Sequence, residues 1–333
     1  MNTFRRRLSG YQWEILLAIL ILVAAGVATA ISPYYLDAQQ IFRGLRFVII
    51  PGLLALALTV IVIQGEIDIS LPSAVAVGTV LLGSLAQADV PYPIAIAVVA
   101  VAGVVLGLIN GAIVTSFGLP SMAVTLGTLG AYRGLAYLLP GGNDGFAADV
   151  FAPEYLWLGK ATIGGLIPVS LIAFLVFAVL FGLLVHRTTY GRLTYAIGNN
   201  VQAARYSGTR VGLIKIAAYV MGGVMAMVGA LVFVGQYESA RGDNLDGQLL
   251  FVVAAVVLAG IDMNGGRGKI LGVVLSIVLL GTLYNGMGLA NINAPIQVVV
   301  FGGLLIVSVL IPFAAGRAQT WYAARRATSG ATP

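Results

Sequence analysis

The sequence predicts an all-α fold, a polytopic transmembrane helical bundle. Of its 333 residues, 59% are hydrophobic and only 9% are charged, whereas about a quarter of the residues in a soluble domain are charged. Continuous apolar runs such as 95–109 lack the alternation of β-barrel strands. The 43 glycines fit helices that pack closely in lipid. A multi-pass membrane protein that contacts membrane lipid is therefore expected.

About ten spans are predicted, because a bilayer-crossing helix needs roughly 20 mainly apolar residues. We expect a single transmembrane domain over 1–333, with 13–312 embedded in the membrane and with 1–12 and 313–333 as cytoplasmic tails. Glycine and proline interrupt several segments, so a count of eight to eleven stays open. The predicted helices cover 13–31, 44–64, 70–88, 92–116, 119–139, 164–186, 212–237, 247–262, 269–288 and 294–312.

The basic residues indicate the orientation. With the N-terminus inside, most of the eighteen lysines and arginines fall in inner loops or tails. Only Arg43, Arg46, Lys160 and Arg241 fall outside, and Arg133 falls within a span. This bias places both termini in the cytoplasm. It also explains the net charge of +6 without a nucleic-acid partner.

Residues for catalysis or cofactor binding are not evident. The chain has no cysteine, which excludes disulfides and thiolate metal sites. Segment 265–270 (GGRGKI) superficially resembles a phosphate-binding loop, but Met263 and Ile270 break the required pattern. We interpret it as a glycine-rich turn. With His186 as the single histidine and no Ser–His arrangement, we expect no enzyme, no metal and no cofactor.

The segment 64–70 (QGEIDIS) places two carboxylates between two apolar helices. A charge near the bilayer centre is costly, so Glu66 and Asp68 are expected to face protein, water or a partner. An ordinary cytoplasmic turn with solvated carboxylates is an equal alternative. Ser70 is expected to cap the next helix, with Pro72 in its first turn.

Uncharged polar residues also interrupt the apolar helices. Asn110, Thr125 and Thr128 suit a passage for a polyhydroxylated solute, although they could equally bond to their own backbone or to a neighbouring helix. Together with the loop residues they form the candidate substrate pathway. Its members are Glu66, Asp68, Ser70, Asn110, Thr125 and Thr128.

Small and charged residues within the fourth and fifth predicted helices indicate packing. Gly103, Gly107 and Gly111 recur at every fourth position, as in a close helix–helix contact. Gly130 and Gly134 repeat this pattern. Arg133 is expected to snorkel to the outer interface or to form a structural ion pair.

The polar stretch 190–210 (YGRLTYAIGNNVQAARYSGTR) interrupts the apolar chain. Asn199 or Asn200 is a good N-cap for about two helical turns, and Gly208 suits the left-handed C-cap. Val201, Ala204 and Ser207 or Gly208 then share a face whose small side chains would allow a protein partner to approach. The alternative is an amphipathic loop on the lipid headgroups. A chain without its own energy source is expected to borrow one from such a partner.

Five segments match a known family in the same order over roughly residues 40–312. They are 65–70 (GEIDIS), 124–129 (VTLGTL), 198–208 (GNNVQAARYSG), 254–260 (AAVVLAG) and 265–268 (GGRG). The sequence thereby resembles the permease subunits of bacterial ABC importers for monosaccharides, the ribose, xylose, rhamnose and autoinducer-2 group. Segments after Leu119 and around 237–241 resemble most the rhamnose and autoinducer-2 branches. The sequence departs from the family at Glu66, where glycine is common, and at Asp262.

The resemblance implies a permease subunit of an ATP-driven, binding-protein-dependent importer for a monosaccharide or related polyol, in the bacterial inner membrane. It implies a second permease subunit, identical or homologous, a cytoplasmic ABC ATPase and an external sugar-binding protein. The residues that match the ATPase-docking segment are Gly198, Asn199, Asn200, Ala203, Ala204, Tyr206, Ser207 and Gly208. The alternative function is an ion-coupled secondary carrier of a small polar solute.

Overall fold

The computed structural model describes residues 11–141, 144–308 and 310, and helices dominate it. The predicted tails lie almost entirely outside the described residues, as do residues 309, 311 and 312 of the last predicted span. The helices are α1 (Gln12–Ile31), α2 (Ala38–Ile63), α3 (Leu71–Gln87), α4 (Tyr92–Phe117), α5 (Ser121–Leu138), α6 (Pro153–Lys160), α7 (Val169–Arg187), α8 (Thr189–Asn199), α9 (Val201–Tyr206), α10 (Val211–Tyr237), α11 (Leu249–Leu258), α12 (Ile270–Leu289) and α13 (Ala294–Ser308).

Each of the ten predicted segments contains a helix, and a short antiparallel pair, β1 (Thr162–Ile163) with β2 (Ile167–Pro168), precedes α7. Six helices in the described part are long and apolar enough to cross a membrane, namely α1, α2, α4, α7, α10 and α12. The helices α3, α11 and α13 are apolar but shorter. The molecule is therefore a helical polytopic membrane protein.

Helix α2 is the centre of the bundle. It is buried over 89% of its most apolar stretch, and it packs against α7, α10, α11 and α12. By contrast, α1 and α7 expose large apolar side chains such as Leu22 and Val179. A helix that is apolar on every side and exposed belongs in lipid. The peripheral helices α1 and α7 thus face the bilayer, while α2 is shielded from it.

The predicted glycine stripe of α4 packs against α10. A Cβ on Gly103 would lie 2.6 Å from the carbonyl oxygen of Gly223, and one on Gly111 would lie 2.9 Å from the Cα of Ile216. Gly107 meets the backbone of Tyr219 in the same way. Only glycine permits this approach, so the packing interpretation is confirmed for α4.

The same interpretation is wrong for α5 within this chain. A Cβ on Gly130 or Gly134 would meet no atom of the described residues within 4 Å. The two glycines lie on the outer face of the bundle, so the i, i+4 spacing alone does not identify which helix faces have a neighbour.

Arg133 on α5 neither snorkels freely nor forms an ion pair among the described residues. Its Nη1 atom donates hydrogen bonds to the carbonyl oxygens of Gly242 and Asn244, at 2.6 and 2.8 Å. Charge-assisted hydrogen bonds of this kind are strong. Arg133 therefore fixes the loop between α10 and α11 to α5.

Helices α2 and α11 end in the same way. Gly65 and Gly260 have φ values of 77° and 78°. The amide of Glu66 donates to the carbonyl of Ile61, and the amide of Ile261 donates to that of Val256. Any helix that ends at a left-handed glycine can adopt this arrangement. The shared turn thus accounts for a glycine at both positions.

Candidate functional site

The loop between α2 and α3 is held by α5. The amide of Ile67 donates to the Oγ atom of Ser121 at 3.1 Å. The Oγ1 atom of Thr125 donates to the carbonyl of Ser121 at 2.8 Å and lies 3.4 Å from that of Ile67. Thr128 bonds to its own helix, at the carbonyl of Thr125. Both threonines therefore bond to backbone, as one alternative expected.

Asp68 is the centre of a buried hydrogen-bond network. It is only 2% exposed, so an ordinary solvated carboxylate is ruled out. Its Oδ1 atom accepts from the amide of Ser70 at 2.9 Å and from the hydroxyl of Ser70 at 2.6 Å. The Asn110 amide donates to Ser70 Oγ at 2.9 Å and lies 3.4 Å from Asp68 Oδ2. Three candidate pathway residues thus meet in this network: Asp68 and Ser70 before α3, and Asn110 on α4.

Ser70 precedes α3 as expected, but its side chain does not cap that helix. The hydroxyl instead donates to Asp68, because the carboxylate two residues earlier is the stronger acceptor. Tyr132 extends the network, since its hydroxyl donates to the carbonyl of Leu106 at 2.8 Å and lies 3.3 Å from Asn110 Oδ1. Tyr132 carried no sequence signal that separated it from other aromatic residues.

Glu66 forms an ion pair with Lys215 at the start of α10, and each side chain is 15% exposed. This contact assigns a partner to the carboxylate by which the sequence departs from its family. Sequence reasoning missed Lys215, although a lysine within an apolar helix is the same signal that drew attention to Arg133.

The polar stretch folds as two helices, α8 and α9. The Oδ1 atom of Asn200 accepts from the amide of Ala203 at 3.0 Å and so caps α9, as the sequence predicts. Gly208 follows α9 with a φ of 83°, which confirms the left-handed position. Helix α8 is an additional element, capped by the hydroxyl of Thr188.

The faces of α9 differ from the expected arrangement. Ala204 is only 4% exposed and packs with Ile197 and Val211 inside the loop. Tyr206 is 91% exposed, and Ala203 is also exposed. Of the face expected to meet a partner, Val201 and Ala204 therefore pack within the loop, whereas Ser207 and Gly208 are exposed. Tyr206 and Ala203 on the other side of α9 face the surroundings.

The base of the loop is joined to the end of α2. The amide of Gly266 donates to the carbonyl of Ile63 at 2.8 Å. A Cβ on Gly198 would overlap both that carbonyl and the amide of Gly266. Asn199 lies over the same turn, with its Nδ2 atom 3.4 Å from the carbonyl of Gly266. Segment 265–268 is thus a tight turn, as expected, and it contacts the polar loop.

Two tyrosines of α8 add hydrogen bonds between the polar loop and the neighbouring parts of the bundle. The Tyr195 hydroxyl donates to the carbonyl of Gly268 at 2.7 Å, and the Tyr190 hydroxyl donates to that of Ile214 at 3.1 Å. Burial raises the pKa of Tyr195 to about 12, so its phenol stays protonated and able to donate at physiological pH. Gln64 at the end of α2 lies 3.3 Å from the Tyr190 hydroxyl.

The chain is thus a helical membrane bundle with a buried polar network between helices and a polar loop that contacts the end of α2. The described residues contain no group of three or more potential metal ligands. The chain belongs to the family described as branched-chain amino acid transport system, permease component, whose model matches residues 40–309.

Relatives of nearly full length support this assignment. The autoinducer 2 import system permease protein LsrD of Salmonella typhimurium is 33% identical over 334 residues, covering 98% of each chain. The LsrD protein of Yersinia enterocolitica is 34% identical over 315 residues, covering 93% of each. That of Klebsiella pneumoniae is 34% identical over 303 residues and covers 90% of each. No solved structure matches the chain significantly.

The protein is therefore a multi-pass inner-membrane permease component of an ABC transport system. Its relatives are transport permeases rather than enzymes. A transport system of this class works with an ATPase and a solute-binding protein.

Proposed function

We propose that the chain is the pore-forming subunit of an ATP-driven importer and has no catalytic activity of its own. It crosses the membrane ten times with both termini in the cytoplasm. The ten predicted segments each contain a helix, and the basic residues favour this orientation. The observation that carries the proposal is the α8–α9 loop, a polar projection joined by hydrogen bonds to the central helix α2.

The proposed partner at the loop is a cytoplasmic ABC ATPase. Tyr206 and its exposed neighbours on α9 would contact the ATPase, while the buried Ala204 holds α9 against α8. Gly198 and Asn199 would position the loop rather than touch the partner, because they contact the 265–268 turn. Movement of the ATPase would thus reach Ile63 and α2 through short, direct contacts.

Two further partners complete the proposed importer. A second permease subunit, identical or homologous, would form the pore with this one, and an external binding protein would deliver the solute. The solute would be a monosaccharide or related polyol. An autoinducer 2-type compound fits this class, since relatives 33–34% identical to this chain are named for autoinducer 2 import.

The candidate pathway residues would border the inner part of the solute path. Glu66, Asp68 and Ser70 follow α2 at the end of the bundle that carries the polar loop. Asn110 joins them to α4. In this proposal their network orders the inner end of the path and changes its geometry when α2 moves, and Thr125 and Thr128 border the path from α5.

Transport in proteoliposomes tests the proposed function. The full-length chain would be reconstituted with its ATPase and binding protein, and uptake of D-ribose, L-rhamnose and autoinducer 2 measured. Uptake of at least one solute should require ATP in the compartment that contains the ATPase. It should persist when ionophores abolish the ion gradients across the membrane. Uptake that stops with the ionophores and ignores ATP would instead establish the ion-coupled carrier.

A further inference from the structure

Two adjacent cavities lie at the end of the bundle opposite the polar loop. Their volumes are about 400 and 390 Å³, and they share Phe47 of α2 and Tyr237 at the end of α10. We use the term vestibule for these two cavities together. Each falls within the size range of small-molecule sites. None of the candidate pathway residues lines the vestibule.

The vestibule is rich in side chains that both donate and accept hydrogen bonds. One cavity is lined by Asn244 and Gln248, and the other by Gln236, Asn285 and Gln297. Each carboxamide presents an oxygen acceptor and two N–H donors. A solute with neighbouring hydroxyl groups requires both functions, because each hydroxyl also donates and accepts.

Aromatic rings provide the apolar part of the same surface. Tyr237 is 49% exposed although it lies at the end of a buried helix. Phe47 and Tyr284 stack in parallel with ring centroids 3.7 Å apart. An exposed aromatic ring beside carboxamides suits a molecule with one C–H face and a polar edge, since the ring gains from apolar contact while the edge stays hydrogen-bonded.

The charges at the vestibule have both signs. In one cavity Arg241 and Asp243 pair with each other at 3.0 Å, beside Asp246. The other cavity is lined by Arg43 and Arg46. The charges of the first cavity partly offset each other, whereas the two arginines of the second add N–H donors for the oxygen atoms of a solute.

The walls are fixed before any solute arrives. Arg133 binds the carbonyls of Gly242 and Asn244, and the Asn244 side chain donates to Thr79 at 3.1 Å. In the other cavity, Gln40 donates to Asn285 at 2.8 Å. Preformed walls reduce the entropy that binding must overcome.

We propose that the vestibule is an outward-facing binding site for a polyhydroxylated solute of monosaccharide size. The solute would place its C–H face on Tyr237 and its hydroxyls against the partly exposed carboxamides of Gln236, Gln248 and Gln297. The inference rests on the proposed import function and adds to it a site where the solute is held before it reaches the Asp68 network.

Because the chain has no cysteine, single cysteines report on one place each. Gln248→Cys and Gln297→Cys place a thiol in each cavity, and Ala148→Cys is the matched control, exposed at the same end of the bundle but outside the vestibule. Right-side-out vesicles bearing the full chain would be washed free of binding protein. The rate of labelling by a membrane-impermeant maleimide would be measured with and without D-ribose, L-rhamnose or autoinducer 2 at millimolar concentration.

At least one probe should slow the labelling of Gln248→Cys or Gln297→Cys by about threefold or more, as expected for a mostly occupied site. Ala148→Cys should label at an unchanged rate. Tyr237→Ala would be combined with the cysteine variant that the solute protects. It should raise the solute concentration that gives half-maximal protection about fivefold, whereas Tyr237→Phe, which keeps the ring, should leave this concentration nearly unchanged.

The two proposals fail separately. Uptake without protection of either cysteine overturns the vestibule and leaves the import function standing. Protection without ATP-dependent uptake establishes the vestibule and overturns the importer. Protection that slows Ala148→Cys equally, or that is the same in Tyr237→Ala, also overturns the vestibule.

Discussion

The amide of Gly266 donates a hydrogen bond to the carbonyl of Ile63 across 2.8 Å, which joins the turn before α12 to the end of α2. Gly198 packs against the same carbonyl. Three segments far apart in the chain thus meet at one point, and no side chain can be accommodated between them. A displacement of the polar loop would therefore act directly on the end of α2.

Substitution of Gly198 should disrupt the junction. Gly198→Ala places a Cβ in contact with the carbonyl of Ile63 and the amide of Gly266, so the backbone must move. We expect a loss of about 1–3 kcal/mol in stability, the usual cost of overpacking, and a loss of solute-stimulated ATPase activity. Thermal unfolding of the purified protein and ATPase assays measure the two effects.

Gly182→Ala is the control for that variant, because a Cβ on Gly182 of α7 meets no described atom within 4 Å. It should retain stability and coupling. A Gly198→Ala protein as stable and as active as Gly182→Ala would show that the junction is looser than the structure indicates.

Tyr206 should matter for coupling but not for folding. Its side chain is 91% exposed, so Tyr206→Ala removes no internal contact of consequence, while an exposed aromatic residue at a protein interface often contributes about 2 kcal/mol or more. We expect normal insertion and thermal stability with binding of the ATPase weakened on the order of thirtyfold. Co-purification and quantitative binding of the ATPase provide the measurement.

Ala204→Trp gives the contrasting result. Ala204 is buried against Ile197 and Val211, so a tryptophan there should displace α9 and increase proteolysis of the loop.

If Tyr206→Ala bound the ATPase normally while Ala203→Trp abolished binding, the contact surface would centre on Ala203 instead.

The Asp68 network should contribute to both stability and transport. Asp68→Ala leaves the amide and the hydroxyl of Ser70 without their acceptor, and each buried unpaired group costs about 1–3 kcal/mol. We expect lower thermal stability and slower uptake. A double-mutant cycle with Asn110→Ala should show coupling of about 0.5 kcal/mol or more, because the two residues share one network. Strict additivity would contradict the network.

The ion pair of Glu66 and Lys215 should show charge complementarity. Removing one partner by Glu66→Gln or Lys215→Met leaves the other charge with 15% exposure, which typically costs about 3–5 kcal/mol in buried pairs. The double variant removes both charges and should recover most of the lost stability. Chemical or thermal unfolding of the unsubstituted protein, the two single variants and the double variant measures these stabilities. A double variant less stable than either single variant would refute the pairing.

Local sequence signals predicted local structure well. Asn200 caps α9 and Gly208 ends it because both roles depend on short-range backbone chemistry. Gly103 and Gly111 pack as expected because close helix contact demands small residues. Contacts between distant segments were not predictable in the same way. Lys215 pairs with a residue 149 positions away.

The buried side of a helix was harder to predict than the helix itself. The helical period correctly grouped Val201 with Ala204, which pack together, but Ser207 and Gly208 of the same predicted face are exposed. The period does not state which side of a helix is buried. Ala204 packs inward because α8 lies beside it, and α8 was not predicted as a separate helix. Gly134 has the spacing of a packing motif but meets no neighbour in the described part of the chain. The direction of a face is set by elements elsewhere in the chain.

The central position of α2 has a consequence for biogenesis. It is among the first helices to be synthesised, yet α7, α10, α11 and α12, which enclose it, all emerge later. Helix α2 would therefore be exposed to lipid until those helices insert. Its apolar surface permits this, and its Thr59 bonds internally to the carbonyl of Ala55 at 2.7 Å. Lipid contacts around α2 would be replaced by protein contacts as the second half of the chain inserts.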